Sequence, residues 1–274
     1  MNKVIFVTYA SGTYKCNIYW NKFFVRFFIR PDKLIFLTDA DLRQDPIYNE
    51  FLSTFSAKTG AGYWAWKPWA IAKAMDLADN GDIVIYQDCG QGLRYKNFMK
   101  PSNIISYAKK YNVMPGVLIP EHGINREWTH KQCFNLMECN AEEFYNTAQV
   151  EAVISAWKVS DKTKLIVSEW LNYCTDENIV SDKYIDKNSG FATNGHRYDQ
   201  SVLTNLVIKH NLAPISHDLA GLHLFKSMSF LNLYLAKDVW YSKILFTIIH
   251  QCVKLLRSIR KSNIIIPSTE IEKK

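Results

Sequence analysis

Three aspartates stand where a carboxylate could do chemistry. Asp39 and Asp41 follow the apolar run KLIFLT, and Asp88 follows IVIYQ, where a buried strand must emerge from the core. Carboxylates at strand ends often hold a divalent cation that neutralises a diphosphate. Asp88 is the better candidate, because Gly90 and Gly92 beside it allow a ligand to approach the backbone closely. The simpler interpretations are that Asp88 closes a turn and that the other two cap a helix.

Aromatic residues and a lysine precede the strand that ends at Asp88. The segment GAGYWAWKPW, residues 60–69, places Trp64, Trp66 and Lys67 at the start of an apolar helix. Aromatic faces stack on the C–H faces of sugars and on nucleobases, and a lysine at a helix N-terminus can pair with phosphate. The segment therefore favours a ligand that joins a sugar or base to phosphate. Burial of the tryptophans in the core is the simpler alternative.

The elements that would position these residues alternate between strands and helices. The sequence predicts strands over 4–10, 33–42, 81–88 and 113–120, and helices over 45–58, 67–78, 101–111 and between the first two strands. This order predicts an α/β fold with a mostly parallel sheet covered by helices on both faces. Ligands bind at the carboxyl ends of such strands. That rule adds four residues to the candidate site: Thr8, Tyr9, Ala10 and Gln87.

Several classes of protein are disfavoured by what the sequence lacks. No GxGxxG follows the first strand and no P-loop motif occurs, which argues against a Rossmann dinucleotide site and a P-loop enzyme. The six cysteines form no CxxC pair, which argues against a zinc cluster and suits a reducing cytoplasm. No apolar run has the length of a spanning helix. We therefore expect a cytoplasmic protein, and we expect no nucleic-acid partner although the net charge is +7.

Five segments together resemble the bacterial GT-A-type glycosyltransferases of surface-polysaccharide (O-antigen, capsule or lipopolysaccharide) loci. In that family a GYGYWxWKP segment precedes a YxDxG segment. The matching segments here are GAGYWAWKPW, GDIVIYQDCG, EWTHKQCF, SEWLNYC and HRYDQSVLTNL, within residues 3–215. The resemblance implies a single GT-A-like domain, assigned to residues 1–235. It also implies a nucleotide-sugar donor, and a glycan or lipid-linked saccharide as acceptor.

The resemblance also assigns roles to residues near the first motif. It implies that Asp88 lies near a Mn²⁺ or Mg²⁺ ion and the diphosphate, and that Trp66 contacts the acceptor. The chain departs from the family at Lys58, where arginine is usual, and at Cys89, where alanine is usual. A lysine serves phosphate as a point charge but not as a bidentate ligand.

HRYDQSVLTNLVIKHNL, residues 196–212, is the second informative segment. It predicts a helix with Asp199 at or just before its start, where a carboxylate caps well. The resemblance implies a catalytic role instead, because a DQxxLN helix start lines the acceptor side of several retaining GT-A families. Gln200 would then bind the acceptor, while His196 and Arg197 would contact the leaving diphosphate. His223 is the candidate for the metal-binding histidine near the C-terminus.

Two glutamates are candidates for the base or nucleophile of the reaction. Glu121 follows a predicted strand, and Glu169 lies in VSEW beside Trp170, a candidate acceptor contact. These residues alone do not distinguish an inverting from a retaining mechanism. The resemblance slightly favours a retaining hexosyltransferase.

The C-terminal tail, residues 236–274, has an amphipathic and basic sequence, unlike the α/β domain before it. Residues 240–261 predict a helix with one apolar face, and basic residues that include Lys254 and Arg257 fall largely on the other. Such a helix is expected on an anionic membrane, here the inner face of the cytoplasmic membrane. Docking on the domain or on a second copy is the alternative.

Two other functions remain open. One is a nucleotidyltransferase or other nucleotide-binding α/β enzyme, which should show a glycine-rich phosphate loop. The other is a non-catalytic carbohydrate-binding protein with the same aromatic residues.

Overall fold

The computed structural model of the chain describes residues 2–89, 101–216 and 264–265. Its strands are β1 (Val4–Ala10), β2 (Lys33–Thr38), β3 (Ile83–Gln87), β4 (Val113–Met114), β5 (Val117–Leu118), β6 (Val150–Glu151), β7 (Ile154–Lys158), β8 (Ile215–Ser216) and β9 (Ile264–Ile265). Its helices are α1 (Asn17–Phe24), α2 (Asp39–Gln44), α3 (Pro46–Glu50), α4 (Leu52–Phe55), α5 (Gly60–Tyr63), α6 (Trp66–Asp76), α7 (Pro101–Tyr111), α8 (Lys131–Leu136), α9 (Glu142–Tyr145), α10 (Asp161–Thr175), α11 (Glu177–Val180) and α12 (Tyr198–Lys209).

A six-stranded sheet with the order β4-β7-β3-β1-β2-β9 forms the centre of the fold. β1 is parallel to β2 and β3, and β2 is parallel to β9. β7 is antiparallel to β3 and β4. The predicted mixed α/β architecture with a mostly parallel central sheet is therefore confirmed.

Helices cover both faces of this sheet, as the alternation of elements predicts. Side chains of β1 point alternately to the two faces: Val7 packs in one apolar core with Ile71 of α6 and Leu203 of α12. Phe6 packs in a second core with Ile104 of α7. The two cores hold β1 and β3 between them, so the ends of these strands are fixed positions for functional groups.

A second, three-stranded sheet with the order β6-β5-β8 was not predicted. The expected strand over 113–120 is wrong as one element, because Pro115 and Gly116 divide it into β4 and β5, which belong to different sheets. Gly116 lies where a Cβ would stand 2.4 Å from the carbonyl oxygen of Glu151. The glycine, directly before β5, thus permits the close approach of this segment to strand β6, which carries Glu151.

Local capping explains two helix starts after β2. The side chain of Asp45 accepts a hydrogen bond from the backbone N–H of Ile47, and Pro46 occupies the first helical turn of α3. Asp41 accepts from the backbone N–H of Thr38 at 2.7 Å, which supports the capping interpretation of this aspartate. The predicted helix over 45–58 is divided at Phe51, whose φ of −117° and ψ of 46° are not helical.

The predicted helices over 67–78 and 101–111 correspond to α6 and α7, and α1 is the expected crossover between β1 and β2. Among the described residues, no helix has the length and apolarity needed to cross a membrane. Gly90, Gly92, His223, the domain boundary at residue 235 and the predicted helix over 240–261 lie outside the described residues.

Candidate functional site

The loop before α6, which includes the short element α5, has a left-handed backbone, so α5 is not a regular α-helix. From Gly60 to Trp64 the φ angles are 57°, 53°, 101°, 51° and 60° in chain order. Ala61, Tyr63 and Trp64 are not glycines, and the left-handed conformation costs such residues about 1–2 kcal/mol each. A Cβ on Gly60 would lie 2.1 Å from Cε3 of Trp64, so this glycine is also needed for space. Backbone strain of this kind is concentrated at functional sites.

This loop forms one side of a cavity of about 360 Å³ at the carboxyl ends of β1 and β3. Tyr9 and Trp66 stack with ring centroids 4.3 Å apart. The Trp66 indole N–H donates to the carbonyl of Gly60 at 2.9 Å, which fixes the ring against the loop. The wall of the cavity is therefore aromatic and rigid. Its lining residues are Tyr9, Ala10, Ser11, Tyr14, Lys58, Gly60, Ala61, Trp64, Trp66, Asp88 and Cys89.

Behind this cavity, Lys67 joins two aspartates in a buried charge cluster. Its ammonium lies 3.4 Å from Oδ1 of Asp88 and 3.1 Å from Oδ2 of Asp199. The Asp199 contact is an ion pair without hydrogen-bond alignment. The hydroxyl of Tyr86 donates a hydrogen bond to Oδ1 of Asp88. The side chains of Lys67 and Asp199 are each 5% exposed, so water does little to compensate these charges.

One cation shared by two buried carboxylates explains the proton affinities in the cluster. Burial lowers the pKa of Lys67, but the charges of Asp199 and Asp88 outweigh it and hold this pKa above its usual 10.5. Burial raises the pKa of Asp199 to about 6, with Lys67 opposing the rise and Asp88 adding to it. Burial and the Asp88 carboxylate keep the pKa of Tyr86 well above 10.0, so its hydroxyl remains a proton donor. Asp199 is thus a carboxylate that titrates close to neutral pH.

Aromatic contacts fix the start of α12, which carries Asp199. The indole N–H of Trp170 donates to the backbone carbonyl of Asp199 at 3.1 Å. Tyr198, whose φ is 49°, stacks on Trp64 with ring centroids 5.2 Å apart. This stack joins the left-handed loop to the helix of Asp199.

A buried chain of side-chain amides holds the next residue, Gln200. Its Nε2 donates to Oε1 of Gln149 at 2.9 Å, and Nε2 of Gln149 donates to Oδ1 of Asn125 at 2.6 Å. Nδ2 of Asn125 donates to Oδ1 of Asn205, back on α12, at 2.7 Å. Because the NH₂ group of each amide donates to the side-chain oxygen of the next, the orientation of the Gln200 amide is fixed. It is 8% exposed.

The structure brings some of the predicted site residues together and separates others. Thr8 and Gln87 are buried and joined by a hydrogen bond of 2.6 Å from the Thr8 hydroxyl to the Gln87 carbonyl. Asp39 forms an ion pair with Lys15 at the start of α2. Lys67, expected to meet phosphate, instead neutralises aspartates. The predicted residues that line the cavity are Tyr9, Ala10, Lys58, Trp64, Trp66 and Asp88.

Four aromatic and acidic residues have surroundings that differ from those expected. Trp170, expected to contact an acceptor, is completely buried, so its ring is part of the core. Asp199 is not the helix cap, because Arg197 occupies that position and Asp199 lies within the first turn. The expected bases lie away from the cavity lining. Glu169 is 2.7 Å from Nζ of Lys209 on the outer side of α10, and Glu121 is exposed in the turn Pro120–His122.

The two basic residues before α12 have different surroundings. His196 is 5% exposed, and its ring lies 4.2 Å from that of His130. Burial lowers the pKa of His196 well below 6.5, so this histidine is neutral and does not supply the cation expected of it. Arg197 stacks on the indole of Trp128, with 4.1 Å between its guanidinium carbon and the ring centroid.

Two buried residues near the charge cluster went unnoticed in the sequence. Tyr86 lies two positions before Asp88 on a strand, and a period of two places both on the same side, which is a signal that could have found it. Glu151 is 8% exposed and lies in a strand too short to show a pattern.

One oxygen of Asp88 is suited to a cation. Both Tyr86 and Lys67 contact Oδ1, which leaves Oδ2 as the oxygen that the cluster does not use. Within the described ranges, no three His, Cys, Asp or Glu side chains form a metal-binding group. Mg²⁺ is commonly bound by one or two carboxylates together with substrate phosphates and water, so this donor set fits a cation that arrives with a diphosphate.

Comparisons with known proteins show similarity to solved structures and none by sequence. No family model and no curated protein matches the chain by sequence. The apo crystal structure of mouse xyloside xylosyltransferase 1 is similar over 79% of this chain and 84% of that chain, with 12% identity and a TM-score of 0.40. A TM-score at this level supports no conclusion on its own, and the chemistry of the site residues decides the function.

Proposed function

We propose that this protein is a glycosyltransferase that uses a nucleotide-sugar donor. The observation that carries the proposal is the cavity at the ends of β1 and β3, which combines stacked aromatic walls, the exposed Lys58 and the carboxylate of Asp88. A nucleoside diphosphate sugar presents a flat base, a diphosphate and a sugar, and each part has a complement there. The motif resemblance in GAGYWAWKPW and GDIVIYQDCG points to the same class of enzyme.

In this proposal Lys58 meets the diphosphate, and the rings of Tyr9, Trp64 and Trp66 contact the base or the sugar. Asp88 would hold Mn²⁺ or Mg²⁺ through Oδ2. When bound, such a cation stabilises the negative charge that develops on the leaving diphosphate.

The reaction makes one bond and breaks another. An acceptor hydroxyl oxygen bonds to the anomeric carbon, and the bond from that carbon to the phosphate oxygen breaks. The nucleoside diphosphate leaves with the electron pair, and the hydroxyl proton passes to a base or to the diphosphate. Tyr86 and Lys67 hold Asp88 in place for this step, and Asp199 acts by compensating the charge of Lys67.

The proposed acceptor is a glycan or lipid-linked saccharide of bacterial surface-polysaccharide synthesis. The basic amphipathic sequence over 240–261 would hold the enzyme at an anionic membrane surface, where a lipid-linked acceptor is found. Charge reversal at Lys254 and Arg257 in the full chain should then weaken binding to vesicles with anionic lipid, most strongly at low salt. If the charge-reversed variant and the wild-type protein bind these vesicles equally at low salt, the basic residues do not hold the enzyme at a membrane.

Ligand-dependent thermal unfolding tests the donor site. Nucleoside diphosphates and nucleotide sugars, with and without Mn²⁺, are added to the full chain, and a ligand at 100 times its Kd stabilises by about 2.7 kcal/mol. The best donor is then assayed for release of nucleoside diphosphate. Asp88→Asn should reduce turnover with Mn²⁺ at least about tenfold, whereas Asp79→Asn, an exposed control, should not.

The outcomes separate the alternatives. Release of pyrophosphate from a nucleoside triphosphate would indicate a nucleotidyltransferase. Saccharide binding without any donor binding or turnover would indicate a carbohydrate-binding protein.

A further inference from the structure

Three aromatic side chains form a stack at the edge of the cavity. Tyr198 stacks on Tyr63 with ring centroids 5.7 Å apart and an interplanar angle of 24°, and on Trp64 at 5.2 Å and 30°. Trp64 lines the cavity, whereas Tyr198 is not among the lining residues in the described part of the chain. The connection of Tyr198 to the cavity therefore runs through the ring of Trp64.

All three residues of the stack have a left-handed backbone. The φ angles of Tyr63, Trp64 and Tyr198 are 51°, 60° and 49°, and no other aromatic residue that the structure describes has a positive φ. This conformation is unfavourable for residues with a Cβ, and it persists only where surrounding contacts enforce it. The stack thus joins two strained segments that are distant in the sequence.

A carboxylate outside the stack fixes the ring of Tyr198. The Tyr198 hydroxyl donates to Oδ2 of Asp182 at 3.0 Å. Burial raises the pKa of Tyr198 to about 12 and the Asp182 carboxylate adds to the rise, so the hydroxyl stays protonated and remains a donor. The residue after Tyr198 is held as well, because the Trp170 indole donates to the backbone carbonyl of Asp199. The ring of Tyr198 is therefore held at its hydroxyl and at its backbone.

The backbone of the left-handed loop and the ring of Trp64 have different supports. A Cβ on Gly62 would lie 3.0 Å from Cα of Phe55, so the loop backbone packs against α4. The Trp64 ring is bordered by Gly60, where a Cβ would lie 2.1 Å from Cε3, and it is stacked on Tyr198. Loss of the Tyr198 ring would therefore remove a support of the indole and leave the contact of the loop with α4 in place.

We propose that Tyr198 is a positioning residue for the donor, because its ring holds the Trp64 indole at the cavity wall, where the indole contacts the base or the sugar. This inference rests on the proposed glycosyltransferase function and adds to that site a residue that acts on the donor only through another. Without the Tyr198 ring, Trp64 leaves the wall while Asp88 and Lys58 keep their places. Tyr198 thus sets the affinity for the donor.

Two substitutions at one position separate the ring from the hydroxyl. Tyr198→Asn removes the ring and keeps a residue type that tolerates a left-handed backbone, and Tyr198→Phe removes the hydroxyl alone. Tyr48→Asn is the matched control, since Tyr48 is also half-buried and stacks on a ring, that of Phe55 at 6.2 Å, away from the cavity lining. Thermal shift measures binding of UDP and GDP to the full chain, and nucleoside diphosphate release is measured with the best donor.

Fluorine NMR follows the Trp64 ring without any ligand. The full chain with fluorotryptophan at its eight tryptophan positions gives a set of resonances, and Trp64→Phe identifies the one that belongs to Trp64. Tyr198→Asn should broaden or split this resonance, because the ring then occupies more than one position. Lost stacking with an unmoved ring would only shift a sharp line.

We expect Tyr198→Asn to weaken UDP or GDP about tenfold, within the range for loss of an aromatic partner of a base. The KM for the donor should rise more than kcat falls. Tyr198→Phe and Tyr48→Asn should stay within about twofold of wild type, because neither removes a ring that supports Trp64. Adding Tyr198→Asn to Trp64→Ala should weaken binding no further than Trp64→Ala alone, since Tyr198 acts through that indole.

The proposal is overturned if folded Tyr198→Asn keeps a sharp Trp64 resonance or wild-type affinity for UDP and GDP. Additive losses in the double variant with Trp64→Ala would overturn it as well. If Tyr198→Asn does not fold, Tyr198→His, which has a smaller ring and also tolerates a left-handed backbone, is judged by the same criteria. Failure of the donor site looks different: neither UDP nor GDP would bind to wild type, while the Trp64 resonance would still depend on Tyr198.

Discussion

The ammonium of Lys67 lies 3.1 Å from Oδ2 of Asp199, and both side chains are only 5% exposed. The contact joins α6 to α12, so the charge cluster is also part of the packing between two helices. A buried charge without its partner is strongly unfavourable. The chemistry of the site and the stability of the fold are therefore linked at this position.

Lys67→Met should be strongly destabilising. The substitution leaves Asp88 and Asp199 buried without their shared cation, and breaking a buried pair costs about 3–5 kcal/mol. Urea denaturation measures the free energy of unfolding. Lys73→Met, which breaks the partly exposed pair with Asp45, is the control and should lose less than about 1 kcal/mol. Adding Asp199→Asn to Lys67→Met should restore part of the loss, and a strictly additive double variant would contradict the coupling.

Asp199 should make stability depend on pH in an unusual direction. Its pKa is raised from 3.8 to about 6, so its contribution is fully favourable below its ordinary pKa and is lost as the pH rises through about 6. A shift of this size corresponds to roughly 3 kcal/mol. Asp199→Asn, which stays neutral, should gain in melting temperature over wild type between pH 5.0 and pH 7.5.

Asp45→Asn is the control for this pH dependence. Burial raises the pKa of Asp45, but hydrogen bonds from Lys73, Trp69 and the Ile47 backbone outweigh this and lower it below 3.8. The stabilisation that ionised Asp45 contributes is therefore lost only as the pH falls through this lowered pKa. The difference between Asp45→Asn and wild type should therefore be constant from pH 5.0 to pH 7.5. A constant difference for Asp199→Asn as well would show that Asp199 does not titrate in this window.

The left-handed loop gives a prediction with an internal control. Gly60→Ala adds a Cβ at a φ of 57° and places it 2.1 Å from the Trp64 ring, so the ring must leave the cavity wall. Gly190→Ala adds a Cβ at a φ of 74° with nothing within 4 Å. Both variants bear the left-handed strain of about 1–2 kcal/mol, but only Gly60→Ala should also weaken donor binding in thermal-shift assays. Equal donor affinity in the two variants would show that Trp64 does not contact the donor.

The strand-end aspartate and the aromatic wall could be predicted from the sequence, because both depend on local order along the chain. A strand that ends at Asp88 and a glycine-rich turn before Trp64 are visible as short patterns. The contact of Trp66 with Tyr9 follows from the packing of helix α6 against strand β1, as expected for an α/β fold.

The pairing of Lys67 with Asp199 could not be predicted in this way. It depends on how α6 and α12 pack together, and each residue alone had a simpler local interpretation, a phosphate ligand and a helix cap. Glu151 was missed for a similar reason, because its strand β6 belongs to a small sheet that exists only after Gly116 brings β5 beside it. The buried charge cluster therefore depends on contacts between distant segments, whereas the aromatic wall of the cavity depends on local sequence patterns.

Tyr86→Phe tests whether the hydroxyl on Asp88 serves the site. The substitution removes a donor to Oδ1 of a buried carboxylate and keeps the ring, and a hydrogen bond to a charged group contributes about 1.5–3 kcal/mol. Asp88 would then be held by Lys67 alone, so its carboxylate should be less well oriented toward a cation and diphosphate. We expect a lower free energy of unfolding in urea and about a tenfold loss of Mn²⁺-dependent donor turnover. Tyr107→Phe, which removes a hydroxyl that donates to the carbonyl of Ala213 at 3.0 Å, is the matched control and should change stability slightly and turnover not at all. If Tyr86→Phe lost stability but kept full turnover across a range of Mn²⁺ concentrations, the hydroxyl would belong to the packing of β3 and not to the site.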